Sequence, residues 1–348
     1  GKIFKGNLLG IFILWRLILF IPLLSAIYLF PYNLSSPVSY IYHFINNSNF
    51  SFDSVFLFPL ANFDGIHYLN IAEFGYTNQA RFFPLLPISI NILSAPFISI
   101  FNSPLTIFFI SFLFVNLVFI LALWIFKKLI ELDFSKEVSN KSIFYLLFFP
   151  TSFFFVSIYS EGLFLLLTLL AFYFARKKKW LLSIIFAMLL MTTRFVGIAI
   201  LPALLYEFFI SESIKVKKLA LFLLTPLGLI IYSLFNYEKW HNFLYFVQAQ
   251  GELGNNRTVT QIVLFPQTIY RYLKILFTVP ISYEWGIALL ELVSFLFATF
   301  LLYFAWKKKI RTSYLIFALI NFAIIISTGT FSGLPRYILT IFPIFLVL

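Results

Sequence analysis

The 348-residue chain contains no cysteine. That excludes disulfides, thiolate metal ligands and cysteine nucleophiles, and leaves the redox compartment open. Charge is scarce too: 11% of residues are charged, 25 basic and 13 acidic, where a soluble domain carries about 25%. This scarcity excludes a soluble enzyme, a disordered chain and a nucleic-acid binder. Only three histidines occur, His43, His67 and His241, far apart and outside any HExxH pattern, so no metal site is expected. No P-loop or GxGxxG opens a helix, which argues against a nucleotide-using enzyme. In place of these features the sequence has apolar length, with 61% hydrophobic residues and 50 phenylalanines. It starts at Gly1 and stops inside the apolar run Ile338 to Leu348. The expectation is a piece of a longer polytopic membrane protein, trimmed at the C-terminus.

A membrane-crossing helix needs roughly 20 mainly apolar residues. Residues 10–30, 104–126, 218–235, 283–305 and 312–328 meet that need. Shorter apolar stretches cover 142–158, 162–175 and 180–206, and 338–348 reads as the start of another. The first stretch reads as a retained helix: it is long for a signal peptide and holds Arg16. Basic residues cluster in short loops, at Lys127-Lys128, Arg176 to Lys179, Lys215 to Lys218 and Lys307 to Arg311. The positive-inside rule places these clusters, with Lys2 and Lys5, in the cytoplasm, which accounts for the net charge of +12.

The same rule decides two harder cases. If 84–101 crossed, Lys127-Lys128 would fall outside, and the segment also holds Pro84, Pro87 and Pro96. It reads as a helix lying in the outer interface or re-entering, inside a first outer loop over 31–103. Residues 180–206 have basic flanks on both sides but are too few for two full spans at 1.5 Å per residue. Two short helices bending near Thr193-Arg194 fit. A second outer loop covers about 236–282. The predicted fold is a single all-α polytopic membrane domain over 1–348, with about ten membrane segments and the amino terminus inside.

Glu131, Asp133, Glu137, Glu207 and Glu212 fall in cytoplasmic loops and read as solvated partners of nearby lysines. Asp53, Glu73, Glu238, Glu252 and Glu284 are scattered outside, and Glu291 lies within a span, where it can pair across helices. Asp64 and Glu161 stand apart. Asp64 opens a short helix ending near Gly75, on which Asp64, His67, Tyr68 and Ile71 share a face. It is either an N-cap, worth ~1 kcal/mol, or a functional carboxylate. Glu161 begins another helix on the same outer side, favoured there by the macrodipole. Arg194 and Arg336 belong on that side too, each embedded in apolar sequence. A guanidinium so placed needs an anion: a phosphate held bidentately, or an ion pair with Glu161 or Glu291.

Phe63-Asp64-Gly65 with Tyr68-Leu69, Ile71-Ala72, Gly75-Tyr76 and Phe83-Pro84-Leu85-Leu86-Pro87 resembles the GPI mannosyltransferase II-like (PIG-V-like) family of membrane glycosyltransferases. Phe149-Pro150-Thr151 with Tyr159-Ser160-Glu161, Thr193-Arg194 with Gly197, and Pro335-Arg336-Tyr337 with Phe342-Pro343 extend the likeness over nearly the whole chain. Phe63 and Phe195 stand where the family usually has Trp and often has Pro. The resemblance implies the GT-C architecture, with a long first outer loop of interface helices. It also implies inverting transfer of a sugar, typically mannose, from a polyprenyl-phosphate carrier to a glycan or glycolipid acceptor. Asp64 then matches the catalytic base. Arg336, Arg194 and Arg81 would meet the phosphate, with Tyr337 beside them. His67 and Tyr68 would position Asp64 or a sugar hydroxyl, and Glu161 would orient an arginine or the acceptor. No cofactor is expected, since the lipid-linked donor is itself the substrate. The implied location is the plasma membrane of a prokaryote or the endoplasmic reticulum of a eukaryote. The alternative is a transporter or flippase of lipid-linked glycan, against which stands the lack of an internal two-fold repeat.

Overall fold

The computed structural model describes residues 8–29, 57–101, 105–212, 216–252, 258 and 261–348. Lys2, Lys5, His43, Asp53 and Lys215 lie outside the described residues. Among those described, regular structure is helical apart from one isolated bridge between Val263 and Thr328. Helix α1 (Leu8–Ile18) and α2 (Phe20–Leu29) begin the chain. Next come α3 (Asp64–Phe74) and α4 (Leu85–Phe101), and α4 packs against both α3 and α5 (Leu105–Ile130). The remaining helices are α6 (Lys136–Leu147), α7 (Glu161–Arg176), α8 (Trp180–Met191), α9 (Ile200–Ser211), α10 (Val216–Ala220), α11 (Leu227–Trp240), α12 (Tyr245–Glu252), α13 (Phe265–Thr278), α14 (Tyr283–Lys307), α15 (Thr312–Ile326) and α16 (Leu334–Tyr337).

Among the described residues, four runs are long and apolar enough to cross a membrane: Leu8–Ser25, Leu105–Ile130, Val216–Trp240 and Tyr283–Lys307. With them go shorter apolar helices, among them α4, α8 and α15. The protein is an all-helical integral membrane protein. Local sequence explains the long helices. α5 has no Pro or Gly and ends on Lys127 and Lys128, where the helix dipole favours cations. α14 starts at Ser282, whose Oγ accepts a hydrogen bond from Trp285 N at 3.3 Å.

Helix α7 is the axis of the bundle. Apolar around its whole circumference, it is buried on nearly every face by α5, α8 and neighbouring elements. The expected bend after α8 is present. Thr192 and Thr193 turn their hydroxyls back to the carbonyls of Leu189 and Leu190 at 2.7 and 2.6 Å. Arg194 is extended, and a 3-10 turn over Phe195–Ala199 leads into α9.

Three sequence readings are corrected. Residues 142–158 are not one apolar helix: α6 stops at Leu147 and a 3-10 turn follows at Ser152–Phe155. Pro150 lacks an N–H and disfavours helical backbone at Phe149. Residues 338–348 form two buried 3-10 turns, not the first turns of a helix: Ile338–Thr340 packs against α7, and Phe342–Leu346 against α14 and α6. The acids near the basic clusters are not all solvated. Glu207 is wholly buried and accepts hydrogen bonds from Arg311 Nε at 2.7 Å and Ser313 Oγ at 2.6 Å. Asp133 accepts from Arg176 Nη2 at 2.7 Å, and the same guanidinium donates to Tyr314 at 2.9 Å. Apolar flanks hid this network, because the partners come from four separate helices and loops. Glu137 and Glu212 do pair with Lys141 and Lys218, as expected.

Candidate active site

Asp64 is the first residue of α3 and not its N-cap, a position held by Phe63, which makes no side-chain cap hydrogen bond. The residue before it, Phe63, has φ of +57°, an uncommon conformation for a bulky aromatic residue. Three hydrogen bonds pin this corner to the start of α7. Ile158 N donates to Leu60 O at 2.8 Å, Tyr159 Oη to Asn62 O at 2.8 Å, and Tyr68 Oη to Ser160 Oγ at 3.0 Å. The helix starts of α3 and α7 therefore lie side by side, which brings Asp64 and Glu161 to one end of the bundle.

Two arginines from distant parts of the sequence meet there. Arg336 Nη1 donates to Asp64 Oδ2 at 2.6 Å, and its Nε lies 3.0 Å from Glu161 Oε1 at ion-pair distance without hydrogen-bond geometry. Arg194 Nη1 donates to the same Glu161 oxygen at 2.8 Å. A third guanidinium, that of Arg81, approaches Asp64 Oδ1 at 3.4 Å. The Arg194 and Arg336 cations also lie against the Tyr337 ring, at 4.7 and 5.0 Å from its centroid. Arg336 further faces Tyr159 at 5.2 Å. The Glu161 side chain is 2% exposed, whereas Asp64 and Arg336 are each 18% exposed. Glu161 is thus a buried anchor and Asp64 the reachable carboxylate.

Burial pushes the Asp64 carboxyl up, but Arg336 and Arg81 outweigh it and hold it below the ordinary carboxylate value. It is ionised near neutrality. Burial keeps His67 below its usual value despite Asp64, so its ring is neutral there.

These side chains open onto a cavity of about 750 Å³. Its polar end presents Asp64, Tyr68, Arg81, Arg194, Arg336 and Tyr337. Its apolar end is made by Phe195 and Val196 after the bend and by Ile320, Ala323, Ile324 and Ile325 of α15. Two predicted residues are off the wall. His67 stacks on Phe82 with centroids 4.7 Å apart, and Glu161 stands behind the arginines it holds. Glu73 is exposed and away from the site. Sequence reasoning missed Gln250, which donates to Arg81 O at 3.5 Å, and Gln261, both in the cavity lining. Glutamines in a solvated loop carry no signal of their own. No group of three or more metal-ligating side chains occurs among the described residues.

No curated protein and no solved structure matches the chain. A family model described as mannosyltransferase (PIG-V) matches residues 5–223, well over half of the sequence. The matched stretch holds Asp64, Arg81, Glu161 and Arg194, and Arg336 reaches Asp64 from beyond it. With an all-helical membrane fold and a cavity built on the matched motifs, the chain belongs to the PIG-V mannosyltransferase family.

Proposed function

We propose that the protein transfers mannose from a polyprenyl-phosphate carrier to an acceptor hydroxyl at the extracytoplasmic or luminal face, with inversion at the anomeric carbon and Asp64 as base. The observation that carries this reading is a reachable, ionised carboxylate paired with Arg336 and Arg81, with Arg194 also on the wall of the same mainly apolar cavity. A phosphate entering there competes with Asp64 for Arg336 and Arg81, and frees the carboxylate to face the acceptor. The acceptor oxygen attacks the anomeric carbon while Asp64 takes its proton. The bond from that carbon to the phosphate oxygen breaks, and the electron pair leaves with the phosphate. Arg336, Arg194 and Arg81 stabilise the charge that develops on it. Lipid phosphate is a competent leaving group, so no separate acid is needed. The apolar wall along α15 suits the first isoprene units of the carrier. Gln250 and Gln261 face the polar end, where sugar hydroxyls would lie.

The test is transfer of labelled mannose from polyprenyl-phosphate mannose in membranes carrying the protein. Asp64→Asn keeps the size of the side chain and removes the base, so turnover should fall by at least ~100-fold in a normally folded protein. Wild-type turnover in that variant would remove Asp64 from the role.

A further inference from the structure

Glu291 is a buried carboxylate in the middle of α14, and the proposed chemistry makes no use of it. Among the described residues it forms no ion pair; it engages a tyrosine and a backbone amide. Its Oε2 accepts from Tyr272 Oη at 2.6 Å and its Oε1 from Gly333 N at 3.2 Å. Tyr272 stands on the buried stripe of α13, and its oxygen also accepts from Phe331 N at 2.9 Å and lies 3.1 Å from Thr330 Oγ1. One turn of backbone, 330–333, is thereby held at two amides by two side chains from different helices. Neighbouring bonds tie the same loop to the second outer loop. Arg271 Nη1 donates to Gly329 O at 3.1 Å, Val263 N to Ser327 O at 3.0 Å, and Thr258 N to Thr328 O at 2.9 Å.

The loop so held carries Arg336 immediately downstream. Arg336 N donates to Gly333 O at 3.0 Å, so the residue fixed by Glu291 starts the turn that aims the guanidinium at Asp64 and Glu161. Gly333 has φ of +75°, and Gly329 has +77°. Glycine reaches both conformations without strain but gives up more conformational freedom than any other residue when ordered, so contacts from outside the loop hold it in one arrangement.

We propose that Glu291 and Tyr272 are positioning residues: a latch from two helices that fixes the 329–337 loop and thereby sets Arg336 for the donor phosphate. This rests on the reading of Arg336 given under Proposed function. Neither residue lines the cavity, so neither acts on substrate directly.

The experiment uses the full chain and two variants, Tyr272→Phe, which removes the hydroxyl, and Glu291→Leu, which removes both acceptor oxygens. Amide hydrogen exchange and the kinetics of mannose transfer from polyprenyl-phosphate mannose are both measured. Exchange should rise in 329–337 and stay unchanged elsewhere, with the melting temperature of at least one variant near wild type. The donor KM should rise roughly tenfold, the effect of one net hydrogen bond, with kcat changed much less. In an Arg336→Gln background neither variant should raise KM further, because the latch acts through that arginine. Unchanged exchange in both variants overturns the latch. Raised exchange with an unmoved KM, or effects that multiply in the Arg336→Gln background, overturns the positioning role. If the wild-type protein transfers no sugar, the proposed function falls, and exchange alone still decides whether the latch exists.

Discussion

The single Glu161 oxygen shared by Arg194 and Arg336 determines how the site responds to substitution. With its side chain 2% exposed, this carboxylate is the counter-ion that lets two guanidiniums sit in apolar surroundings. Glu161→Gln leaves Arg194 without its carboxylate and Arg336 with Asp64 alone, and should cost about 3–5 kcal/mol of stability, read as a fall in melting temperature. Adding Arg194→Gln should restore part of it. Asp64 behaves differently. Its acidity is lowered by Arg336 and Arg81 against burial, so the stability it contributes is present above the unfolded carboxyl value near 3.9 and is lost as pH falls through the folded one. Activity limited by Asp64 ionisation should therefore hold level down to about pH 5. Arg336→Gln removes the first of the opposing charges and leaves burial less opposed. Its acid limb should move upward in pH, and its donor requirement should rise roughly 10- to 150-fold. A pH–rate profile of that variant with an unshifted acid limb would contradict the assignment. In sequence terms the candidate carboxylates and arginines were legible because charge is so rare in this chain. Which acid served which arginine was not legible, since 272 positions separate Asp64 from Arg336. Glu291 illustrates this: it was an equal candidate for the arginines, and it binds Tyr272 and Gly333.

At the scale of elements, hydrophobic length located the long helices but not their interruptions. Leu105–Ile130, Tyr283–Lys307 and Thr312–Ile326 lie close to the apolar runs that announced them. The bend at Thr193-Arg194 was legible because basic residues on both flanks forbade a single crossing. The break after α6 and the 3-10 turn at Leu221–Leu224 were not, because a proline inside an apolar run leaves hydropathy unchanged while ending the helix. The contact of α11 with α8 depends on one residue. A Cβ on Gly228 would stand 2.3 Å from Met188 O and 2.7 Å from Thr192 Cγ2. The first neighbour is backbone, so the helices must separate. Gly228→Ala should cost about 1–3 kcal/mol, visible as a lower melting temperature. Because Thr192 belongs to the bend that carries Arg194, donor use should weaken with it.

For the whole molecule, α7 separates two charged centres. Glu161 begins the helix in the candidate site, and Arg176 ends it in the network of Asp133, Glu207 and Arg311. At 1.5 Å per residue these ends lie about 22 Å apart, most of a hydrocarbon core of ~30 Å. The two centres should face opposite sides of the membrane. Single cysteines at positions 78 and 128, both exposed, are clean probes in a chain without native cysteine. A membrane-impermeant thiol reagent should label them from opposite sides. Labelling of both from one side would make α4 a true crossing and break the assigned topology.

The ion pair between Asp64 and Arg336 also has a consequence in time. A ribosome emits the two carboxylates, Arg81 and Arg194 well before it reaches the loop that carries Arg336. Throughout that interval the growing chain holds Asp64 opposite Arg81 alone, with the last guanidinium not yet made. The site is therefore completed only when 329–337 docks onto helices already in place. Until then it lacks its third positive charge, and Asp64 has not yet met the nearer of its two guanidiniums.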